Sequence, residues 1–284
     1  MSKAVPKPHA CNVLSVDGDV RRLHHFSVGK TGVSASGVHL ETPRGKPLPA
    51  NLVARDWRLL VRSRLDIAWM PVDAVFLRAV QLPACAPEEL AGMIEFQLEK
   101  LSPMPPAQVV WTVESVPHRD PSQQTALVTI VARSAVEAFV DSLEQGGYQA
   151  DRIELPGLRR LLAHLPGSGD ALRVVLEGSG DRRMAILGWW SGGVLREVSR
   201  IRLPAEGAPA HLTAHLHGTA WAGEMDGWLS CLPPVTVVIP GSSPAAPSGQ
   251  PPSSPDGKPG AVAAPELPTT DLLEALRAWS TGPV

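Results

Sequence analysis

Few residues in this chain carry the types and spacings that chemistry needs. Gly29-Lys30-Thr31 has the end of a phosphate-binding loop, but the glycine that should open such a loop falls at His24 and is missing. His211 and His215 stand four apart on an expected helix, with His217 beside them, a spacing that can hold a metal. The glutamate of an H-E-x-x-H site is absent there, so partly exposed helix histidines are expected instead. His24 and His25 are neighbours in an expected strand, which sends their rings to opposite faces. No serine sits in a G-x-S-x-G elbow, and Cys11, Cys85 and Cys231 have no local activating group, no metal-ligand spacing and no disulfide arithmetic. Glu95 and Glu99 share a helix face, where the solvated edge of that helix is the expected role, with Lys100 alongside. Trp189-Trp190 in a strand presents one ring to each face, so one ring is expected in the core and the other is a candidate exposed anchor for a partner.

These residues need elements to position them. Residues 11–16 and 20–28 read as strands around Asp17-Gly18, a hairpin dipeptide. A weaker strand at 36–40, a helix near 52–61 and a strand at 66–70 follow. After Gly169 the same order recurs: strands at 172–177, 183–188 and 194–203, a helix near 211–217, and the apolar run Val235–Ile239. Both halves read strand-strand-strand-helix-strand, a pattern shared by two unrelated α+β domains, as in an α+β binding module, and by the actin and ribonuclease H-like fold, in which two such halves face each other across a cleft. Between them, 74–82 reads as a strand. A helix opens at Pro87 with Glu88 and Glu89 at its positive end and stops at Ser102-Pro103, its inner stripe being Leu90, Met93, Ile94, Gln97, Leu98 and Leu101. Strands follow at 109–116 and 126–132. Ser134-x-x-Glu137 reads as a capping box opening a second helix that Gly146-Gly147 closes. Residues 148–155 read as a returning strand and 157–164 as a further helix.

The segment Val75-Phe76-Leu77-Arg78-Ala79-Val80-Gln81-Leu82-Pro83, followed by Met93-Ile94-Glu95-Phe96-Gln97-Leu98-Glu99-Lys100-Leu101-Ser102-Pro103, resembles pilus-assembly actin-like proteins. These are the type IV pilus PilM-like proteins and the related cytoplasmic domain of the type II secretion L protein. The resemblance covers about 70–205 and, more loosely, 11–240. It implies an α/β, two-lobed actin-like scaffold with an inserted α+β subdomain, docking the cytoplasmic tail of a membrane-anchored pilus or secretion partner. It further implies that ATP with magnesium can bind between the lobes in some members. Such a site uses an acidic residue and small residues in the first hairpin of each half, where backbone amides can cradle phosphate. Here those positions are Asp17 and Gly18, then Glu177, Gly178 and Gly180. No phosphate loop is recognisable, so a degenerate, cofactor-free scaffold is the preferred reading, and an ATPase or kinase of the same fold is the alternative.

The expected organisation is a first half over 1–70, the inserted subdomain and return strand over 71–165, a second half over 166–240, a linker over 241–268 and a short helix over 269–284. Nine of the 29 prolines lie after Pro240, and 241–268 is almost wholly Pro, Ser, Ala and Gly, the composition of a disordered tether. Beyond it Leu272, Leu273, Leu276 and Trp279 fall on one face of an expected helix, a further candidate partner surface. The net charge of -2 belongs to this tail, and a neutral body argues against nucleic-acid binding. No apolar run is long enough to span a bilayer, and residues 1–7 lack the apolar stretch of a secretory signal. A cytoplasmic protein held at the inner membrane through its partner is therefore expected. Oligomeric state is not legible.

Overall fold

The computed structural model describes residues 8–29, 32–55, 63–163, 165–178 and 182–239. The tether, the tail helix and Gly180 lie outside these residues. Two compact units divide the chain: Met1–Leu77, Glu88–Val113 and Val128–Pro156 make one, and Arg78–Pro87, Glu114–Leu127 and Gly157–Val284 the other.

In the first unit, β1 (Ala10–Asp17) and β2 (Val20–Gly29) form a hairpin closed by the Asp17–Val20 pair, and β3 (Gly32–Pro43) extends it antiparallel. A single helical turn, α1 (Ala50–Val53), precedes β4 (Arg64–Trp69), which returns parallel to β1. The order is β3-β2-β1-β4, with β8 (Arg152–Glu154) added parallel beyond β4. In the other unit, β9 (Ala171–Glu177), β10 (Met184–Ser191) and β11 (Val194–Arg202) make an antiparallel meander. The helix α5 (Ala208–Met225) then leads to β12 (Val235–Val238), parallel to β9, in the order β11-β10-β9-β12. Each half is thus a βββαβ unit with its fourth strand beside its first, the arrangement of the actin and ribonuclease H-like fold. A parallel return needs a crossover, and the helix supplies it.

The intervening residues supply β5 (Val75–Pro83), α2 (Pro87–Leu101), β6 (Val109–Val116), β7 (Gln123–Ala132), α3 (Arg133–Gln145) and α4 (Pro156–Leu162). The three strands form a sheet in the order β5-β7-β6. On α2 the buried residues are Leu90, Ile94 and Leu98, all within the stripe read from the sequence.

Some local expectations fail. The helix α3 starts at Arg133, directly from β7, and Ala132 occupies the cap position with no side-chain cap. Ser134 therefore lies inside the first turn, and the capping box does not form, because the strand runs straight into the helix. The returning strand shrinks to three residues, β3 is longer than its weak alternation suggested, and α5 extends well beyond 211–217. The helix expected near 52–61 is seen as α1 alone, its remainder from 56 falling outside the described residues.

A buried carboxylate holds the first half together. Asp66 on β4 accepts from Arg64 through Nε at 2.8 Å and Nη2 at 3.0 Å, from Arg55 at 3.2 Å, and from Asn12 Nδ2 on β1 at 2.9 Å. Asp151 pairs with Arg55 at 2.6 Å, and its carboxylate accepts from the Asp66 amide. Arg64 and Asn12 also donate to the carbonyls of Val53 and Leu52, which ties α1 to the sheet. The Tyr148 hydroxyl donates to the Ile67 carbonyl at 2.8 Å, and its burial and the Asp66 charge push its pKa well up, so it stays a donor. Removing one partner of a buried ion pair typically costs about 3–5 kcal/mol, because the other charge is left uncompensated. Asp66→Ala should therefore lower stability by roughly that amount in denaturant unfolding. Exposed Glu41→Ala, which loses surface contacts with Arg22 and His39, should shift the unfolding midpoint far less.

Candidate functional site

The first-hairpin acid sits at the end of β1. Gly18 adopts φ +58°, as a tight two-residue turn requires. Arg22 reaches Asp17 at 3.4 Å and Glu41 on β3 at 2.7 Å, so Asp17 belongs to a cross-strand pairing on its own sheet. The Asp19 carbonyl accepts from the Arg44 amide, which fastens the turn to the end of β3.

The second-hairpin acid is more deeply committed. Glu177 ends β9 and is nearly buried. Its carboxylate accepts from Arg160 Nη1 of α4 at 3.0 Å and from the Gly157 amide in the first turn of that helix. Burial pushes the Glu177 carboxyl up, and the Arg160 charge and the Gly157 amide pull it partly back. A methyl at position 157 would overlap both the Glu177 carboxyl and Ile186 Cδ1, so both side-chain ends would have to shift to admit it. Gly178 takes φ +78° and lies against the Arg182 carbonyl, where a Cβ would collide. Asp17, Gly18, Glu177 and Gly178 thus stand at the hairpin tips as read from the sequence. Glu177 is already satisfied by protein groups, an engagement sequence reasoning missed because Gly157 and Arg160 lie 20 and 17 residues before it.

The tryptophan pair needs correction as an exposed anchor. Trp189 is 0% and Trp190 1% exposed. Trp189 belongs to the core cluster that β9, β10 and β12 form with α5, and meets Trp228 edge to face at 6.5 Å. Trp190 lies over Gly188 and under the Arg173 guanidinium, 5.7 Å from the ring centre, with Leu161 of α4 close by. The rings do go to opposite faces, but β10 is an inner strand with both faces covered, so neither ring reaches solvent. Large exposed apolar groups lie elsewhere: Phe96 on α2 at 94%, Trp221 and Met225 on α5 at 65% and 71%.

The histidines divide by environment. His25 Nδ1 meets Asn12 Oδ1 at 2.7 Å, while His24 faces the other way, with its Nδ1 3.1 Å from that of His39 and its ring 6.5 Å from the Trp69 ring. On α5, His211 and His217 are exposed and His215 is half-buried. Among the described residues no three His, Cys, Asp or Glu side chains come together as a metal site. Burial and the neighbouring His39 and Arg22 lower the His24 pKa, and burial and His211 lower that of His215.

Gly157→Ala should destabilise by about 1–3 kcal/mol by displacing Glu177 and Ile186, read as a shifted denaturation midpoint. The two histidines give a pH dependence. Their folded pKa values lie below the usual 6.5, so the unfolded chain takes up protons first and stability falls as pH drops from 6.5. The melting temperature should therefore be lower at about pH 5.5 than at about 7.5, and His24→Gln should shrink that difference.

No protein-family model matches the chain, and no curated protein sequence matches it. Among solved structures, a chain of the PilM-PilN type IV pilus biogenesis complex is similar at 19% identity, over 84% of this chain and 83% of that one, with a TM-score of 0.56. The cytoplasmic domain of EpsL, an inner-membrane component of the Vibrio cholerae type II secretion system, is similar at 16% identity over 94% and 95%, with a TM-score of 0.46. A Bacteroides thetaiotaomicron protein with an actin-like ATPase fold follows at 11% identity over 81% and 91%, with a TM-score of 0.38. The first of these likenesses agrees with the segment resemblance at 75–103 and with the two βββαβ halves: the chain has a PilM-like actin fold.

Proposed function

We propose that this protein is an actin-like scaffold of a type IV pilus or type II secretion assembly platform, one that docks the cytoplasmic tail of a membrane-anchored partner and works without turning over nucleotide. The observation that carries the reading is the fold likeness to a chain of the PilM-PilN pilus biogenesis complex across 84% of the sequence. The resemblance at 75–103 supports the same reading and extends it to secretion. That no helix among the described residues is long and apolar enough to cross a membrane fits a partner that supplies the anchor.

The nucleotide-free part rests on Glu177. A carboxylate that is to hold magnesium or position water must be open to the ligand, whereas this one accepts from Arg160 and the Gly157 amide. Asp17 is likewise tied to Arg22. The full chain used as bait on detergent-solubilised membranes of its own cells should retain an inner-membrane assembly protein with a short cytoplasmic segment. A synthetic peptide of that segment should compete for it. Titration with ATP and magnesium should show no micromolar binding. Micromolar binding that disappears in Asp17→Ala would instead overturn the nucleotide-free scaffold reading.

A further inference from the structure

The helix α5 is apolar on both sides. Its inner line, Leu212, Leu216, Ala220 and Gly223, is buried against the sheet. Its outer line, Ala214, Gly218, Trp221, Ala222 and Met225, is exposed, and no Lys or Arg occurs anywhere in the helix. Large apolar side chains left exposed together on one line mark a surface that something covers. Trp221 at 65% and Met225 at 71% exposure are the two largest side chains left uncovered on it. The small residues at 214, 218 and 222 leave room for a second helix to approach closely.

We propose that the occupant of this face is the chain's own segment 270–279, lying in cis along α5. Three observations favour it. First, the segment carries Leu272, Leu273, Leu276 and Trp279 at helical spacing, and a helix so short is marginal without a surface to lie on. Second, the chain leaves the described residues just after β12, in the same half as α5. A tether of roughly 30 residues spans about 30 Å on average, comparable with the width of one such half. Such a tether holds its cargo at an effective concentration on the order of mM, far above the level of any second copy in solution. Third, the charges match in one direction. Arg277 lies toward the C-terminal end of the segment, and the exposed Glu224 and adjoining Asp226 lie at the C-terminal end of α5. A parallel run brings these opposite charges together. The expected partner contacts of the tail are thereby occupied by the protein itself, and anything else that uses Leu276 or Trp279 must displace them from α5. This contact is independent of the pilus reading, since its test needs only the purified chain.

Hydroxyl-radical footprinting of the full chain reads side-chain exposure directly, with Phe96, open at 94%, as the internal standard. Leu272→Asp with Leu276→Asp should speed oxidation of Trp221 and Met225 about tenfold, the ratio of a mM effective concentration to a contact of about 0.1 mM. Trp221→Lys should reciprocally expose Trp279, and the native rates should not depend on protein concentration. Unchanged rates at Trp221 and Met225 in the tail variant would overturn the proposal. So would protection that grows with concentration, which would assign the face to a second copy.

Discussion

A carboxylate removed from water must be paired, and Asp66 is where the first half meets that requirement. Its partners come from β1, β4 and the residues around α1, with Asp151 joined through Arg55 just before β8. Satisfying one buried charge therefore fixes the relative placement of the first, fourth and fifth strands of the sheet, and it fastens the crossover turn by its carbonyls. The apolar cluster of Leu14, Leu23, Ala68, Leu143 and Tyr148 packs about the same strands. Tyr148 links the two, with its ring in the cluster and its hydroxyl on the Ile67 carbonyl.

The second half reaches the same strand order by apolar burial instead. Its central strand β10 is covered on both faces, Trp189 packing with α5 on one and Trp190 meeting Arg173 and Leu161 on the other. Burying a tryptophan removes roughly 150–250 Å² from water, worth about 4–6 kcal/mol as an upper figure, more than a partly exposed ion pair such as Arg160–Glu177 of the same half supplies. Packing thus contributes more to stability there than charge pairing does. Glu177, the acid at the hairpin tip of this half, is drawn into holding α4 against β9. The two halves share a topology and differ in what stabilises it, which is why their sequences show no repeat although their element order does.

The two βββαβ halves were legible from element order: β4 and α2 bury one face and expose the other, while β10, covered on both faces, reads as a short apolar run between turn residues. The start of α3 was not legible in this way, since the Ser134 and Glu137 signal is local while the start is set by where β7 ends. The full length of α5 was hidden too, because its two apolar faces erase the periodicity that marks a helix. At the candidate site, Asp17 and Glu177 could be placed at the hairpin tips from the turn residues beside them. That each already has a basic partner could not be read there, because the pairing depends on how strands and helices pack.

What the sequence by itself determined is the element order, the turn residues at Gly18 and Gly178, the division between a neutral body and an acidic, proline-rich tail, and the family likeness at 75–103. What only the tertiary structure decided is which groups are spent on the fold and which face solvent: Asp66 and Glu177 paired away from water, Trp190 enclosed, Phe96, Trp221 and Met225 left exposed. The physical reason is that secondary structure follows from neighbours along the chain, whereas burial and charge pairing join residues such as Asn12 and Asp66, 54 positions apart, that only the folded sheet brings to hydrogen-bond distance.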